Sequence, residues 1–288
     1  MSVNVSTTLS ANRILKIVER FFVYLLVIAG GVLTAMPFVW MFLTAFKGPA
    51  DVASIPLRWL PTEWRFDNFS AIWKLVSFGR VYINSIIVAT SQTIGILITS
   101  SLAAYAFARI KFWGRDVIFL LYLGTIMIPE WVLIIPIFLI VKNLHWLNTY
   151  QGLIVPGLTS AMSTFLLRQF FLTVPKDYED AAFIDGASRL QILRYVILPL
   201  AKPALLTVGL LTFMGSWNTF LWPLIVSSEP EMQTLPLALS QLALTFGWSR
   251  IEWGALMAGT LLAILPITII YGFLQDYFIR GITLSGLK

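Results

Sequence analysis

Several residue types that carry chemistry are absent or scarce in this sequence of 288 residues. It has no cysteine, which excludes disulfides, thiolate metal sites and a cysteine nucleophile. Its single histidine, His145, cannot form a paired-histidine zinc site. A phosphate-binding P-loop needs a lysine directly after a glycine, and no lysine in the chain follows one. The chain therefore cannot bind ATP through a P-loop.

Charge is also scarce, because only 12% of the residues are charged while 58% are hydrophobic. A mean hydropathy of +0.83 exceeds what a soluble domain needs to build a core. The net charge of +6 comes from basic residues in short segments between apolar runs, and these form no stripe with aromatic residues. The composition predicts an integral membrane protein and argues against nucleic-acid binding.

Long apolar runs predict six transmembrane helices in an all-α protein. A bilayer core needs about 20 apolar residues, and one such run, residues 117–141, is interrupted only by Glu130. The first run is too long for the core of a cleaved signal peptide, so we expect it to remain as an anchor. Residues 232–249 are also uncharged but marginal in length, and we interpret them as an external, partly re-entrant helix rather than a seventh span. The other five runs contain no charged residue: 21–46, 81–108, 146–167, 203–228 and 253–275.

Lysine and arginine set the expected orientation, because positively charged loops resist translocation. With the N-terminus inside, most of the basic residues fall in inner segments, and most of the others lie in one long first external loop. Both termini and the loop between spans four and five are therefore predicted to be cytoplasmic. The chain then divides into a cytoplasmic segment 1–20, a six-helix transmembrane domain 21–278 with a polar loop at about 176–200, and a cytoplasmic tail 279–288.

The 176–200 loop predicts a helix, a glycine turn and a second helix. Asp177 is expected to cap a helix beginning at Tyr178, and Gly186 to take a positive φ at its end. Ser188 and Gln191 have the spacing of a capping box for a second helix toward Pro199. That helix would place three apolar residues on one face: Leu190, Leu193 and Ile197. Such a loop is either a docking knob for a partner or an amphipathic linker between two spans.

The residues of this loop resemble the cytoplasmic EAA loop of permease subunits of ATP-binding-cassette (ABC) importers. That pattern is Glu-Ala-Ala, three residues, Gly, nine residues and Ile-x-Leu-Pro, and this sequence keeps the spacing with Asp for Glu and Val for Ile. More of the chain, from about residue 14 onward, resembles the sugar-importing branch, similar to the smaller permease of maltose-type transporters. The stretches that carry this likeness are AAYAFAR (103–109), LNTY (147–150), FLLRQFF (165–171), WNTFLWPL (217–224) and the C-terminal GITLSGLK.

The resemblance implies a transport subunit of the prokaryotic cell membrane rather than an enzyme. It implies that ATP and Mg²⁺ are bound by two partner ATPase subunits, with no cofactor in this chain, and that a second permease and a solute-binding protein complete the importer. Alternating access would then move a sugar or oligosaccharide into the cell. The C-terminal tail departs from the usual ending of the branch. Coupling to the ATPase is carried over to Glu179, Asp180, Ala181, Ala182, Asp185 and Gly186.

Polar residues within the spans are candidates for the solute path, because hydroxyl-rich solutes bind amides and aromatic faces. Each of them can equally serve as a hydrogen bond between helices or an interfacial anchor. Glu130 either faces a cavity or is a satisfied polar residue between helices. It is also the one acid that an alternative function, an ion-coupled carrier or channel, would use. The candidates are Asn84, Gln92, Glu130, Trp217 and Asn218.

Overall fold

The computed structural model describes residues 5–245 and 252–286, and within these ranges it is helical with no β-strand. Parts of the predicted re-entrant segment (246–249) and of the tail (287–288) lie outside the described residues. The helices are, in chain order, α1 Val5–Ala45, α2 Pro49–Val52, α3 Asp67–Leu75, α4 Phe78–Arg109, α5 Arg115–Gly124, α6 Glu130–Asn143, α7 Tyr150–Ile154, α8 Ala161–Thr173, α9 Asp177–Ile184, α10 Arg189–Ile192, α11 Leu198–Leu200, α12 Lys202–Trp217, α13 Leu221–Val226, α14 Leu235–Thr245 and α15 Trp253–Gly286.

Three of these helices are long and apolar enough to cross a membrane: Val18–Ala45 within α1, Phe78–Arg109, and Trp253–Gln275 within α15. Two bent pairs raise the number of candidate spans to five if each pair is one span. One pair joins α5 and its following turn to α6 with a bend of 97°, and the other joins Arg189–Leu200 to α12 with a bend of 82°. The prediction of an all-helical protein with several membrane spans is confirmed.

Prolines stand at several of the breaks between helices. Pro129 directly precedes α6 at the 97° bend, and Pro156 lies in the short turn Val155–Gly157 that follows α7. Proline cannot donate a backbone hydrogen bond, so helices start or bend there. The apolar run 146–167 consequently forms no single helix, because α7 ends at Ile154 and α8 begins only at Ala161.

The chain forms two compact units, and the first comprises residues 1–72 and 252–261. Its core contains Ala45, Phe46 and Ala258, with Phe69 packed against them. Asn68 ties the end of α1 to α3, since its amide Nδ2 donates to the Ala45 carbonyl at 2.9 Å and to the Lys47 carbonyl at 3.0 Å. These bonds satisfy carbonyls that the end of a helix leaves without partners.

Lys47 is almost fully buried in this unit, with 1% of its surface exposed. Its Nζ donates to the Arg58 carbonyl at 2.6 Å and lies 3.8 Å from the centre of the Trp40 ring. Burial lowers the pKa of the Lys47 ammonium, and the nearby Asp51 carboxylate opposes that change. A backbone carbonyl and an aromatic face thus hold this cation in place.

Asp51 organises the segment that follows. Its carboxylate accepts hydrogen bonds from the Thr62 hydroxyl at 2.5 Å and the Thr62 amide at 2.9 Å, and from the Arg58 guanidinium at 3.4 Å. The two Thr62 bonds, followed by the Arg58 bond, hold the pKa of Asp51 below its ordinary value because they favour the charged form. The carboxylate therefore closes the loop between residues 51 and 62.

The second unit comprises residues 73–251 and 262–288 and carries the candidate site. Its central helix is α4, which packs along α8 and α12. One buried cluster lies where these helices meet the 176–200 loop and includes Ala104, Leu167, Ile192 and Val208. A second cluster joins α4 to α6, α7 and α13 through Val88, Val141, Leu153 and Val226. α4 thus contacts both the loop and the opposite half of the unit.

Candidate functional site

The 176–200 loop begins with an acidic helix turn. α9 runs from Asp177 to Ile184, so Asp177 already lies in the helix and Lys176 precedes it without a side-chain cap. The prediction that Asp177 caps a helix starting at Tyr178 is wrong by one residue. Asp177, Glu179 and Asp180 still lie in the first turn, where the helix dipole stabilises negative charge.

The turn after α9 forms as predicted. Gly186 has a φ of +81°, a conformation that glycine adopts without the steric cost of a side chain. The capping box is complete: the Ser188 amide donates to Gln191 Oε1 at 2.7 Å, and the Gln191 amide donates to Ser188 Oγ at 3.4 Å. The second helix therefore starts at a position fixed by two reciprocal hydrogen bonds.

The face of the second helix differs from the prediction. Leu193 and Ile197 are buried, but Leu190 is 65% exposed, and Ile192 is fully buried instead. The physical reason is the π-helical segment Leu193–Ile197, because a wider turn shifts the register between residues before and after it. The middle of the second helix is thus buried, and its first turn is exposed.

A buried ion pair anchors the loop to α4. Arg109 Nε lies 2.9 Å from Glu179 Oε1, and the two side chains are only 4% and 8% exposed. Arg109 Nη2 also donates to the carbonyls of Phe171 and Val174 at the end of α8. One guanidinium therefore joins the end of α4, the end of α8 and the start of α9.

Sequence reasoning assigned Arg109 no role beyond its charge in an inner loop. Two sequence features could have indicated this ion pair: a basic residue that ends an apolar span and an acid that begins a later polar helix. Glu179 is also one of the residues predicted to couple the loop to the ATPase, and its carboxylate is buried against Arg109. Because a buried charge must be paired, its contact lies within the chain.

The outer surface of the loop is open. Asp180, Ala181, Asp185 and Gly186 are exposed, while Ala182 packs partly against the buried cluster beneath. Several large apolar side chains accompany them without burial: Ile184 is 86% exposed, Tyr195 66% and Leu190 65%. A rigid base with an exposed mixed apolar and acidic face is typical of a docking surface.

A cavity of about 390 Å³ lies in the same unit, where α4, α6, α12 and α13 approach one another. Its wall includes Gln92, Glu130 and Asn218, three of the five residues predicted for a solute path. Thr219 and Trp222, which the sequence did not single out, also line it. The structure thus brings together residues from four separate segments of the chain.

The two other predicted path residues do not line this cavity, and both hold helices together. Asn84 is fully buried and donates to the Glu231 and Gln233 carbonyls, while its Oδ1 accepts from the Tyr150 hydroxyl at 2.7 Å. Trp217 is buried and its indole N–H donates to the Ala263 carbonyl at 3.1 Å.

Gln92 combines a structural role with its place on the cavity wall. Its Nε2 donates to the Leu153 carbonyl at 2.9 Å, and its Oε1 accepts from the Ser216 hydroxyl. Both ends of the amide are thus engaged between α4, α7 and α12. Among the described residues no group of three or more His, Cys, Asp or Glu side chains is placed to hold a metal.

These features define a helical membrane protein with an anchored polar loop and an open cavity. The chain belongs to the family described as binding-protein-dependent transport system inner membrane component, whose pattern matches residues 95–284. It is a multi-pass permease subunit of an ABC importer in the inner membrane, and not itself an enzyme. The predicted resemblance of the chain to permease subunits of ABC importers is confirmed, and the ion-coupled alternative has no support.

Similar proteins agree with this assignment. The chain is 37% identical to the arabinooligosaccharides transport system permease protein AraQ of Bacillus subtilis (strain 168), over 79% of this chain and 80% of that protein. It is 34% identical to the trehalose/maltose transport system permease protein MalG of Thermococcus litoralis, over 92% and 96%. A chain of a bacterial ABC transporter that imports the acidic polysaccharide alginate is 26% identical and superposes with a TM-score of 0.80, covering 93% and 98% of the two chains.

Proposed function

We propose that this permease moves a sugar or oligosaccharide into the cell by alternating access, driven by ATP hydrolysis in partner subunits. The observation that carries the proposal is the 176–200 loop, whose inner side is anchored by Arg109 and Glu179 and whose outer side is exposed. An anchored loop can pass a displacement to the spans, whereas a loose one would absorb it. The names of AraQ and MalG support a sugar as the solute.

We infer that the chain crosses the membrane six times with both termini in the cytoplasm, as the distribution of basic residues predicts. Three long helices and the bent pair of α5 and α6 account for four crossings, and α12, the longer member of the second bent pair, accounts for a fifth. The segment of α7 and α8 supplies the sixth in this proposal, since α8 packs along α4. The 176–200 loop then lies between spans four and five on the cytoplasmic side.

The proposed complex contains two ATPase subunits, a second permease and a solute-binding protein. ATP and Mg²⁺ belong to the ATPases in this proposal, because the chain has no Gly-Lys pair for a P-loop. Asp180, Ala181, Asp185 and Gly186 would contact the ATPase from the exposed face, and Ala182 would rest on the cluster beneath. Glu179 would position α9 rather than contact the partner.

The experiment that tests the docking role is purification of the tagged permease in mild detergent, followed by mass spectrometry of the proteins that accompany it. Ile184→Ser removes the most exposed apolar side chain of the loop. Trp113→Ser is the matched control, because Trp113 is 96% exposed in a different loop that is also predicted to be cytoplasmic. Gly186→Asp adds a charge at a position where a Cβ would meet nothing within 4 Å.

The wild type and Trp113→Ser are expected to retain a P-loop ATPase, and Ile184→Ser and Gly186→Asp to lose most of it. The wild type, Ile184→Ser and Trp113→Ser should unfold at similar temperatures, because the substituted side chains contact little of their own chain. Gly186→Asp should unfold at a somewhat lower temperature, because a side chain at a φ of +81° is strained. Equal amounts of ATPase with all four would refute docking through this face. Loss with Trp113→Ser alone would place the docking surface in the other loop.

A further inference from the structure

The cavity near Glu130 has the size and lining of a small-molecule site. Its volume of about 390 Å³ lies within the range of about 300 to 1,000 Å³ that is usual for such sites. Gly215 forms part of the wall, and a Cβ there would meet nothing within 4 Å, so the space beside it is open. A ligand can therefore occupy this space without displacing the helices.

Aromatic rings supply the apolar part of the wall. Trp131, Phe220 and Trp222 all line the cavity. The Trp222 ring is fixed, because its indole N–H donates to the Gly152 carbonyl at 2.9 Å. A fixed ring offers a flat surface for the C–H face of a sugar at little entropic cost.

The polar part of the cavity wall consists of side chains that can still form hydrogen bonds. Asn218 donates one amide N–H to the Met214 carbonyl at 2.9 Å, and the other groups of its amide can bond a ligand. The Thr219 hydroxyl donates to the Gly215 carbonyl at 2.9 Å and keeps its acceptor positions. Aromatic faces together with neutral hydrogen-bonding groups suit a solute that carries many hydroxyls.

The charged residues of the wall indicate which net charge a solute can carry. Glu130 is the one ionisable residue among the residues that line the cavity, and no lysine or arginine lines it. The Glu130 side chain is exposed at the start of α6, where the chain bends by 97°. A single carboxylate beside low-dielectric walls repels an anion and attracts a cation.

We propose that this cavity binds a neutral or cationic polyhydroxylated solute and that Glu130 makes it reject anionic sugars such as uronates and sugar phosphates. The proposal rests on the proposed function, because only a transporter places such a cavity on the route of its solute. Glu130 is thereby a specificity-determining residue of this permease.

The absence of cysteine makes a direct test possible, since Thr219→Cys creates a single thiol in the cavity. The assembled transporter is treated with two methanethiosulfonate reagents, one bearing a trimethylammonium group and one a sulfonate. Each modification rate is divided by the rate with free mercaptoethanol, which removes the intrinsic reactivity of the reagent. The same measurement is repeated with Glu130→Gln, which keeps the shape of the side chain and removes its charge.

We expect the cationic reagent to react about tenfold faster than the anionic one, the size expected for one unit charge in a partly hydrated site. In Glu130→Gln the ratio should fall close to one. A ratio near one in the chain that retains Glu130, or a ratio that Glu130→Gln leaves unchanged, overturns the charge selection. Because the ratio compares two reagents in the same state of the transporter, it does not depend on ATPase docking, and this result is separate from the co-purification test above.

A second measurement tests the polyhydroxylated class. A panel of neutral di- and trisaccharides and of their uronate counterparts is screened for slowing the reaction of Thr219→Cys with uncharged methyl methanethiosulfonate. We expect protection by at least one neutral sugar and by none of the uronates. Protection by uronates alone, or by no sugar on the panel, overturns the assignment.

Discussion

At the scale of single residues, the Arg109 guanidinium is the group on which the loop depends most, because it joins the end of its own helix α4 to the end of α8 and the start of α9. Removing Glu179 would leave this cation buried without its counter-charge. We expect Glu179→Ala to destabilise the protein by about 3 kcal/mol, the lower end of the range for breaking a buried ion pair. Asp180→Asn, on the exposed neighbour, should change stability little.

Unfolding of both variants in detergent, followed by circular dichroism, checks this prediction. Purified protein without its partners is the appropriate sample, because the pair lies within one chain. Equal stabilities of Glu179→Ala and Asp180→Asn would contradict a structural role for the ion pair.

The pH dependence of stability follows from Asp51. Hydrogen bonds from Thr62 and then Arg58 lower its pKa in the folded chain relative to 3.8, so the folded state holds the charged form more strongly than the unfolded state does. The resulting stabilisation is complete above pH 3.8 and is lost as the pH falls through the lower folded pKa. Thermal unfolding across this acid range should show a smaller loss of stability for Asp51→Asn than for the wild type.

The control for this prediction is Asp67→Asn. The pKa of Asp67 is also lowered, by its hydrogen bond with Arg65, but its side chain is 57% exposed and solvent screens the pair. Asp51→Asn should therefore flatten the acid dependence more than Asp67→Asn does. A larger effect of Asp67→Asn would show that the exposed pair of Asp67 and Arg65 contributes more to the acid dependence than Asp51 does.

The roles of polar residues within the spans were the least predictable feature at this scale. Gln92 and Asn84 carry amides and Trp217 an indole N–H, and the sequence alone left each of them open between solute and helix contact. The difference lies in which backbone carbonyls happen to face them: Asn84 meets two from the segment before α14, and Trp217 meets one from α15. Such long-range contacts have no local signature in the sequence.

At the scale of elements, the capping box of the second loop helix gives the clearest prediction. Ser188→Ala removes the side chain that accepts from the Gln191 amide, and loss of such a cap costs about 1 kcal/mol. Because the helix is short and its first turn is exposed, we expect the loss to appear as faster hydrogen exchange at residues 189–192. Exchange in α8 should not change. Unchanged exchange at residues 189–192 would contradict the role of the cap.

The same element shows how far local sequence signals extend. Gly186 and the pair Ser188 and Gln191 were predicted correctly because turn and cap geometry depends on neighbouring residues alone. The buried face was predicted incorrectly at Leu190, since the π-helical segment forms where the helix packs on α4 and α8. Tertiary packing decides that register, and the pattern of apolar residues does not reveal it.

At the scale of the whole molecule, hydropathy identified the long helices better than the broken ones. The runs that became α1, α4 and α15 are continuous helices, whereas the run 146–167 is interrupted after α7 and continues in α8. Hydropathy measures whether a segment prefers lipid. It gives no information on bends, where the surrounding helices supply partners for the freed backbone groups. Prolines such as Pro129 and Pro156 were the available sign of these breaks.

One helix connects the two parts of the site. Gln92 on α4 lines the cavity, and Arg109 at the end of α4 holds the loop, about 25 Å further along an ideal helix. α12 runs beside α4, and Ser216 bonds to Gln92 near the cavity. A displacement of the loop is therefore expected to reach the cavity through packed helices rather than through a flexible chain.

This connection predicts that access to the cavity depends on ATP in the assembled transporter. In membrane vesicles, a membrane-impermeant maleimide applied from the external side should modify Thr219→Cys faster when ATP and vanadate trap the closed ATPase pair than when ATP is depleted. Adding Ile184→Ser should abolish the difference, because the loop then no longer receives the motion of the ATPase, while adding Trp113→Ser should preserve it. Identical rates with and without ATP in the Thr219→Cys chain would exclude alternating access at this cavity. A difference that survives Ile184→Ser would show that the motion reaches the cavity by a route other than the exposed face of the loop.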